Sequence, residues 1–447
     1  MSNILLTVTP TSGHVNPFLA IGRQLRGCGH SVFFNTADPF RGQVESAGLC
    51  FIPLSGKANF DYRTFNKFLP EGRTLTPGPE EMRHNAKHVF ADTMLPQYDG
   101  IRDIMSRESI DLILTDFLFT GVFPLLLGPR ASRPPSVSVS VSPLVLTSAD
   151  ASPFGPAVTI EEKEFNRLET ARFQASLGDV NDYMNGILAS RGCAPLPGFF
   201  FDSLYALPDM LLQLSVDAFE FPRKDMPDHI KFVGPVFPGS SKSFQTPAWF
   251  KDLDGSKPVV LVTQGTVANT ELSDLIGPTI TALSTESVIT IAATGNENAV
   301  MNTPIPANAR VTPFVPFMEL FPKVDVFVTN GGYGAVNQAL SLGVPIVVAG
   351  DTEDEAFVAA RVAWTGSGIS LGTSRPTQEK LRAAVNQVLH DGKYRANARR
   401  LQREFAKYNA LDTISGYIES LLPQNIGQLP TAWLRSATGG RVQCARA

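Results

Sequence analysis

The chain has 447 residues, of which 43% are hydrophobic and 18% charged, with a formal net charge of -4 and a sequence pI near 5.9. This length exceeds the size at which one core keeps growing, and it predicts two domains of about 200 residues each. The slightly negative charge, with no long run of Lys or Arg, excludes the basic field that nucleic-acid binding requires, so we expect no nucleic-acid partner.

The first residues and the cysteines predict the compartment. The strand pattern begins within three residues, without the basic and apolar segments of a signal peptide, and no apolar run is long enough to cross a bilayer. The four cysteines form neither a C-x-x-C pair nor a dense disulfide pattern. We therefore expect a cytoplasmic protein with no transmembrane segment.

Strand-like runs alternate with helical periodicity in the first part of the chain, and this βαβ rhythm predicts a parallel sheet with helices on both faces. The strands are predicted at 4–8, 31–35, 50–53, 111–116 and 136–141, with a helix at 17–26. Residues 55–80 lack periodicity and predict an excursion over a cleft, whereas 161–191 predict a helix.

A segment rich in Pro, Gly and Ser at 234–247 predicts an interdomain linker, after which the rhythm restarts. The later strands are predicted at 258–263, 288–293, 324–329 and 345–349, and the later helices at 377–390, 393–408 and 411–422. We therefore predict an α/β protein with two Rossmann-like parallel-sheet domains that face each other across a cleft. The predicted parts are a first domain at 1–235, a linker at 236–250, a second domain at 251–408, a last helix at 409–422 and a loosely ordered tail at 423–447.

The segment 11–17, Thr-Ser-Gly-His-Val-Asn-Pro, follows the first strand. It places His14 on a turn between strand and helix, at the edge where open α/β sheets bind ligands. Gly13 permits an unusual backbone angle or the close approach of a ligand, and Pro17 suits a first helical turn. A neutral imidazole here can accept a proton from a hydroxyl; a helix-capping or buried hydrogen-bonding histidine is the alternative.

Asp116 ends a strand whose other residues are mostly apolar, where a carboxylate is costly to bury without a partner. If the strand order brings it beside His14, it would orient the ring and stabilise imidazolium, as the acid of a hydrolase triad does. The alternative is an N-cap for the following helix.

A second glycine-containing segment, 329–338, Thr-Asn-Gly-Gly-Tyr-Gly-Ala-Val-Asn-Gln, follows a predicted strand and opens a predicted helix. Successive backbone amides at such a helix start can hold an anion such as phosphate, and Gln338 can reach a hydroxyl. The alternative is a tight turn with no ligand.

Asp354 and Glu355 follow a break at Gly350, at the same predicted sheet edge. Carboxylates accept hydrogen bonds from sugar hydroxyls. A solvated charge run with Asp351 and Glu353 is the alternative.

Taken in order, these segments resemble the nucleotide-sugar glycosyltransferases of the GT-B fold, the family that contains plant and mammalian UDP-glycosyltransferases and macrolide glycosyltransferases. The resemblance is carried by 13–17, 330–332, the Gly-Val-Pro run at 343–345, and 354–355. It covers about residues 3 to 422 and is strongest between 310 and 368. It implies an N-terminal acceptor domain, a C-terminal nucleotide-sugar domain and a last helix that crosses back onto the first domain.

The resemblance also implies the catalytic roles. His14 would be the general base and Asp116 its partner, while Asp354 and Glu355 would bind the donor sugar. The reaction would be an inverting transfer by direct displacement, in which His14 removes the proton of the attacking hydroxyl.

The implied nucleotide site uses residues from three loops of the second domain. Phe314 would stack on the base, Val315 would contact uracil through its backbone, and Gln338 would approach the ribose. The residues implied around the diphosphate are Gly265, Thr266, Asn330, Gly331, Gly332, Gly334 and Ala335, with Gly13 facing them from the first domain.

Four positions depart from the family pattern, which commonly has His at Asn330, Ser at Ala335, Glu at Gln338 and Gln at Phe317. Asn can donate a hydrogen bond to phosphate but adds no positive charge, and Ala335 offers only its amide. The departures leave the nucleotide and the sugar open, with UDP-glucose or a similar donor expected.

No permanently bound cofactor and no metal are expected. The triplet Asp252-Leu253-Asp254 lies between the linker and a strand, where it predicts a solvated turn. The 30 Phe against 3 Trp and 8 Tyr fit an apolar pocket, although core packing is the commoner use of Phe. The expected acceptor is an apolar hydroxylated small molecule, and the expected protein is a monomer or weak dimer.

Three other classes were weighed. An accessory protein of the same form without catalysis would explain the changes at 330, 335 and 338. A nicotinamide dehydrogenase fits only the βαβ start, because the G-x-G-x-x-G fingerprint is absent. A non-hydrolysing sugar epimerase would share the fold but would not need the turn at His14.

Overall fold

The protein is described from a computed structural model that covers residues 1–61, 75, 78–237, 246–265, 272–351 and 354–422. The centre of the predicted linker, most of the excursion predicted at 55–80, and the tail predicted at 423–447 lie outside these residues. Among the described residues, no helix combines the length and apolar character that a membrane crossing needs.

A parallel sheet of seven strands organises the first half, in the order β3-β2-β1-β4-β5-β8-β9. Its strands are β1 (Asn3–Thr7), β2 (Ser31–Thr36), β3 (Cys50–Pro53), β4 (Leu112–Asp116), β5 (Ser136–Ser140), β8 (Met210–Gln213) and β9 (Ile230–Phe232), and the short pair β6 (Ala151–Ser152) and β7 (Gly155–Pro156) stands apart. The strand order reverses between β1 and β4, which pair in parallel with Thr7 opposite Thr115.

The helices of the first half are α1 (Ser12–Gly27), α2 (Arg41–Ser46), α3 (Pro79–Asn85), α4 (Asp92–Arg107), α5 (Phe123–Leu126), α6 (Ile160–Ser176), α7 (Gly178–Ala189) and α8 (Phe200–Ala206). The single helix predicted at 161–191 is wrong, because the chain breaks at Leu177 between α6 and α7. The start of α6 carries a capping box, in which Thr159 and Glu162 each accept a hydrogen bond from the other's backbone N–H.

A second parallel sheet organises the other half, in the order β12-β11-β10-β13-β14-β15. Its strands are β10 (Val259–Thr263), β11 (Ile289–Ala293), β12 (Ala309–Thr312), β13 (Val326–Thr329), β14 (Ile346–Val348) and β15 (Gly368–Ser370). Its order reverses between β10 and β13, so each sheet has a switch point where parallel α/β sheets bind ligands.

The helices of the second half are α9 (Ile276–Ala282), α10 (Phe317–Leu320), α11 (Tyr333–Ser341), α12 (Glu355–Trp364), α13 (Gln378–His390), α14 (Gly392–Phe405) and α15 (Ala410–Leu421). The predicted fold class, two parallel-sheet α/β domains, is confirmed. The boundary between the cores is not a single point in the chain, since Val216 and Phe219 pack with the core of the second sheet.

The last helix, α15, packs on the first half rather than on the second. Its buried Ile414 and Ile418 belong to the same apolar cluster as Ile4 and Leu25. Two polar contacts flank this packing: Gln24 donates to Asp412 at 3.1 Å, and His30 Nε2 lies 2.7 Å from Glu419 Oε1. The first sheet therefore completes its core with the last described helix of the chain.

This packing predicts the cost of truncating a single side chain in α15. Ile418 is fully buried, so Ile418→Ala should remove about 2–5 kcal/mol from the stability of the N-terminal half. Denaturant unfolding, followed by tryptophan fluorescence and circular dichroism, measures the change. The neighbouring Ser420 is exposed and provides the control, and an equal loss in Ser420→Ala would contradict the assignment.

Candidate active site

His14 lies in the first turn of α1, directly after the strand at the switch point of the first sheet. Its backbone N–H donates to the carbonyl of Thr11 at 3.1 Å, as does that of Val15 at 2.8 Å. Helical hydrogen bonding therefore starts here, and the predicted helix start at Pro17 is wrong, because Pro17 removes only one bond inside a helix already begun. Gly13 has no positive φ, but a Cβ at this position would meet only open space.

The structure brings His14 and Asp116 together. His14 Nδ1 lies 2.8 Å from Asp116 Oδ2, which also accepts the backbone N–H of Thr9 at 3.2 Å. The other carboxylate oxygen accepts the N–H of Leu118 at 3.4 Å. Asp116 thus joins the histidine and also supports the turn that follows its strand. The His14 ring lies parallel to that of Phe117, with centroids 6.2 Å apart.

The pair fixes the protonation of the imidazole. An ionised carboxylate can only accept hydrogen bonds, so Nδ1 carries a proton, and in the neutral form of the ring Nε2 is then the nitrogen with a lone pair. Asp116 is completely buried, whereas the His14 side chain keeps 15% of its exposure. The imidazole ring therefore keeps partial access to solvent, whereas its carboxylate partner has none.

The glycine-containing turn 330–332 follows β13 at the switch point of the second sheet. Gly331 has a φ of +112°, which favours glycine, and its N–H donates to Thr329 Oγ1 at 3.2 Å. A Cβ at Gly332 or Gly334 would meet nothing within 4 Å. The backbone at the start of α11 is therefore open to a ligand, with the positive end of the helix dipole behind it.

Gly265 and Asn330 lie side by side, although they are 65 positions apart in the chain. A Cβ on Gly265, where φ is +74°, would lie 3.6 Å from the Asn330 amide. Asn330 Nδ2 donates in turn to Glu355 Oε1 at 2.6 Å. One oxygen of Glu355 is thus already held by the loop that was predicted to bind diphosphate.

Asp354 connects the two halves. Its Oδ2 accepts a hydrogen bond at 2.9 Å from Ser142 Oγ, which follows β5 of the first sheet. Burial raises the pKa of the Asp354 carboxyl, and the hydrogen bond from Ser142 and the positive charge of His14 in its protonated form oppose that rise only in part. The predicted sugar-binding acid and the predicted base therefore lie close enough to interact electrostatically.

The residues predicted around the nucleotide occupy the same edge of the second sheet. Phe314 follows β12 and is 54% exposed, and its carbonyl accepts a hydrogen bond from Thr312 at 3.1 Å. Val315 is partly buried against the core. Ala335 and Gln338 are partly buried on α11, and Thr266 lies outside the described residues.

Asp252 and Asp254 behave as structural residues. Asp252 accepts a hydrogen bond from Arg310 at 2.9 Å, and Asp254 accepts the backbone N–H of Ser256 at 2.9 Å. The described residues contain no group of three or more His, Cys, Asp or Glu side chains arranged to hold a metal ion.

Sequence patterns missed four residues at the interface between the halves: Ser142, Glu220, Tyr333 and Arg361. Glu220 and Arg361 form an ion pair of 2.7 Å in which both side chains are fully buried. The sequence offers one signal for Glu220, which stands inside the apolar run Ala-Phe-Glu-Phe-Pro at 218–222. Because charges are rarely buried without partners, a glutamate in such a run indicates a buried ion pair or hydrogen-bonded site.

Comparisons with known proteins agree with this arrangement. Residues 4–93 match the glycosyltransferase family 28 N-terminal domain, and residues 275–419 match the C-terminal domain of the erythromycin biosynthesis protein CIII-like family. UDP-glycosyltransferase 2 of Phaeomoniella chlamydospora is 34% identical over 94% of this chain and 95% of its own length. The chain belongs to the UDP-glycosyltransferase family.

Another relative is the 4'-demethylrebeccamycin synthase of Lentzea aerocolonigenes, 33% identical over 94% of this chain and all of its own length. Among solved structures, the glycotransferase of kitacinnamycin superposes with a TM-score of 0.71 at 22% identity, over 94% of this chain and 99% of that chain. The calicheamicin glycosyltransferase CalG4 gives 0.71 at 20% identity, over 94% and 98%. These likenesses confirm the GT-B fold.

As a member of this family, the chain is a glycosyltransferase that moves a sugar onto a small molecule. The predicted resemblance is confirmed. Family membership also excludes the nicotinamide dehydrogenase alternative.

The burial of Asp354 predicts a pH-dependent stability. Its raised pKa means that the folded protein favours the neutral acid, so this contribution to stability is present at low pH and is lost as pH rises through the folded pKa. Asp354→Asn should therefore melt at a higher temperature than the parent at neutral pH, and the gap should close as pH falls.

The control is Asp391→Asn, which should show the opposite sign. A hydrogen bond from Lys393 lowers the pKa of the Asp391 carboxyl, so its contribution is present at neutral pH and lost as pH falls through the folded pKa. Melting curves across a pH series measure both variants. A lower melting temperature of Asp354→Asn at neutral pH would contradict the analysis.

Proposed function

We propose that this glycosyltransferase moves a hexose from a UDP-sugar, with UDP-glucose as the first candidate, to a hydroxyl of an apolar acceptor with inversion of configuration. His14 acts as the general base and Asp116 orients it. The single observation that carries the proposal is the His14–Asp116 pair at the switch point of the first sheet, close to Asp354 of the other half.

In the proposed step, His14 Nε2 removes the proton of the acceptor hydroxyl while that oxygen attacks the anomeric carbon. The bond from the anomeric carbon to the diphosphate oxygen breaks, and the diphosphate leaves with the electron pair. A single displacement from the opposite face inverts the configuration. A base near the operating pH contributes about 100- to 10,000-fold to such a step.

The loop 330–332 and the start of α11 supply the stabilisation of the leaving group. Open backbone at Gly332 and Gly334 allows the diphosphate to approach the amides, and the helix dipole favours its negative charge. We propose that these amides and the dipole take the place of a metal ion. Asp354 binds sugar hydroxyls, competing with Ser142 for its carboxylate oxygen.

The UDP donor is supported by the names of the relatives. Two further relatives are UDP-glucosyltransferase A1 and UDP-glucosyltransferase B1 of Starmerella bombicola, at 30% and 29% identity. The exposed ring of Phe314 offers a surface for stacking on the base.

An aromatic cluster close to Asp354 supports an apolar acceptor. Phe173 contacts the rings of Phe154, Phe199 and Phe201 in the first half and that of Phe357 in the second, with centroids 5.9–6.5 Å apart. Phe357 lies one helical turn beyond Asp354 on α12. We propose that this cluster forms a wall of the acceptor site.

The base is tested by His14→Ala, which should lower the turnover of sugar transfer by roughly 100-fold or more. The affinity for UDP should be nearly unchanged, because the donor contacts lie in the other half. Asp116→Asn should be nearly as severe, since an amide can donate to Nδ1 and favour the wrong tautomer. Product formation from UDP-glucose and a panel of phenolic, steroid and lipid alcohols measures the effect.

The control for this experiment is His390→Ala, which changes an exposed histidine on α13 whose Nδ1 lies 2.8 Å from the carbonyl of Asn386 in its own helix. Its turnover should equal that of the parent. Donor binding without transfer to any acceptor, together with no effect of His14→Ala, would favour an accessory protein instead.

The nucleotide site is tested by Phe314→Ala. Stacking of an aromatic ring on a base is worth about 1–3 kcal/mol, so the dissociation constant for UDP should rise by roughly 5- to 150-fold. Isothermal titration calorimetry with UDP and TDP measures it, and Phe314→Tyr, which keeps a ring, is the control. Unchanged UDP affinity in Phe314→Ala would remove this residue from the site.

A further inference from the structure

One buried carboxylate of the first half holds two helices of the second half. Glu220 lies after β8, and its Oε1 accepts a hydrogen bond from the Tyr333 hydroxyl at 3.0 Å. Its Oε2 accepts from Arg361 Nε at 2.7 Å. The N–H of Leu144 also donates to Oε1 at 3.3 Å, and Nη1 of the buried Arg223 lies 4.0 Å from Oε2.

The same contact region satisfies the rest of the Arg361 guanidinium. Its Nη2 donates to the carbonyl of Leu144 at 2.7 Å, and Nη1 donates to that of Phe357 at 2.9 Å. The guanidinium also lies over the ring of Phe221, 4.5 Å from its centroid. A buried ion pair gains stability only when additional hydrogen bonds meet its remaining donors and acceptors, and these carbonyls meet part of that requirement for Arg361.

Both partners of Glu220 belong to helices whose amino ends form the proposed donor site. Tyr333 is the first residue of α11, directly after the turn at Gly331 and Gly332. Arg361 lies on α12, which begins at Glu355 directly after Asp354. The proposed diphosphate turn and the proposed sugar-binding acid are thus connected, through α11 and α12, to the Glu220 carboxylate of the first half.

Two more contacts from the end of β8 reach α11. Gln213 Nε2 donates to the Tyr333 hydroxyl at 3.1 Å. Ser215 Oγ donates to Asn337 Oδ1 at 2.7 Å, one turn further along α11. The start of α11 is therefore held by the first half through several directional bonds, which fix an orientation more strictly than apolar packing does.

We propose that Glu220 and Tyr333 are positioning residues, which set the donor site of the second half in register with His14 of the first. The proposal rests on the function proposed above, because it assumes that His14 and the 331–332 turn act on one substrate pair. A misplacement of about 1 Å between reacting groups can cost about 100-fold in rate. The energy of the buried network thus maintains the alignment of base and donor.

The experiment compares Tyr333→Phe with Tyr394→Phe. The first variant removes the hydroxyl that bridges the halves and keeps the ring; Gln213 retains its bond to the carbonyl of Ser142 at 2.8 Å. Tyr394 is also buried, but its hydroxyl accepts a hydrogen bond from Gln387 within the second half at 2.9 Å. Both substitutions remove the hydroxyl of a buried tyrosine, and of the two hydroxyls only that of Tyr333 bonds to the other half.

For Tyr333→Phe, kcat for transfer should fall about five- to tenfold, because a shift of base and donor by part of the roughly 1 Å that costs about 100-fold should cost correspondingly less. The UDP dissociation constant should change less than about twofold, and Tyr394→Phe should change kcat less than about twofold. Glu220→Gln should lower kcat further, and its effect should not add to that of Tyr333→Phe, because the two residues share one network.

Three results would overturn the proposal. They are an unchanged kcat in Tyr333→Phe with only a lower melting temperature, an equal loss of kcat in Tyr394→Phe, or a loss confined to UDP affinity. If Glu220→Gln does not fold, the comparison of the two tyrosine variants decides alone. The proposed function fails separately: His14→Ala with full activity would remove the base, whatever the tyrosine variants show.

Discussion

The complete burial of the Asp116 carboxylate is the constraint on which the site depends. A carboxylate at the end of an apolar strand must find donors, and it finds them in His14 Nδ1 and in the backbone of Thr9 and Leu118. Two of the three donors are backbone groups of fixed position, so the third, the imidazole, has little freedom left. The contact with Asp116 therefore restricts the tautomer and the orientation of the His14 ring, the residue that we propose as the base.

The contact between the halves adds directional polar contacts to apolar packing. Phe357 packs with the core of the first half and Phe219 with that of the second, and hydrogen bonds and an ion pair cross between the halves at Ser142, Gln213, Ser215 and Glu220. Apolar packing tolerates sliding, but directional polar contacts lose most of their energy when misaligned. These polar contacts therefore specify the position of one half relative to the other.

The sequence predicted the two sheets and the edge at which each places its polar residues. The strands at 50–53 and 289–293 are recognisable in the sequence as apolar runs bounded by turn-forming residues. Because the strands of such a sheet are parallel, the residues at or after their carboxyl ends, including His14 and Asp116, lie at one edge of the sheet. Their 2.8 Å contact also needs the register of β1 against β4, which is decided by side-chain packing that no local pattern reports.

The misses have local causes. The sequence pattern placed the start of α1 too late, because Pro17 is typical of a first helical turn. In the structure, the helix already begins with the hydrogen bonds that the carbonyl of Thr11 accepts. Helix α4 contains Pro96, and a π-helical turn at Ala86–Ala91 precedes it, so its periodicity was hidden. The break between α6 and α7 falls at Leu177, next to Gly178, and a glycine there was the available signal for it. Glu220 and Arg361 could not be paired, since 141 positions separate them in the chain.

The return of α15 to the first half has a consequence for recombining members of the family. Ile414 and Ile418 pack in a core made mainly from residues of the first half, and Asp412 and Glu419 are matched to Gln24 and His30. A chimera that exchanges everything after the linker would replace α15 with a helix whose side chains are matched to a different core. Crossover points that keep residues 410–422 with the amino-terminal parent preserve the match, so the unit of exchange is discontinuous in sequence although compact in space.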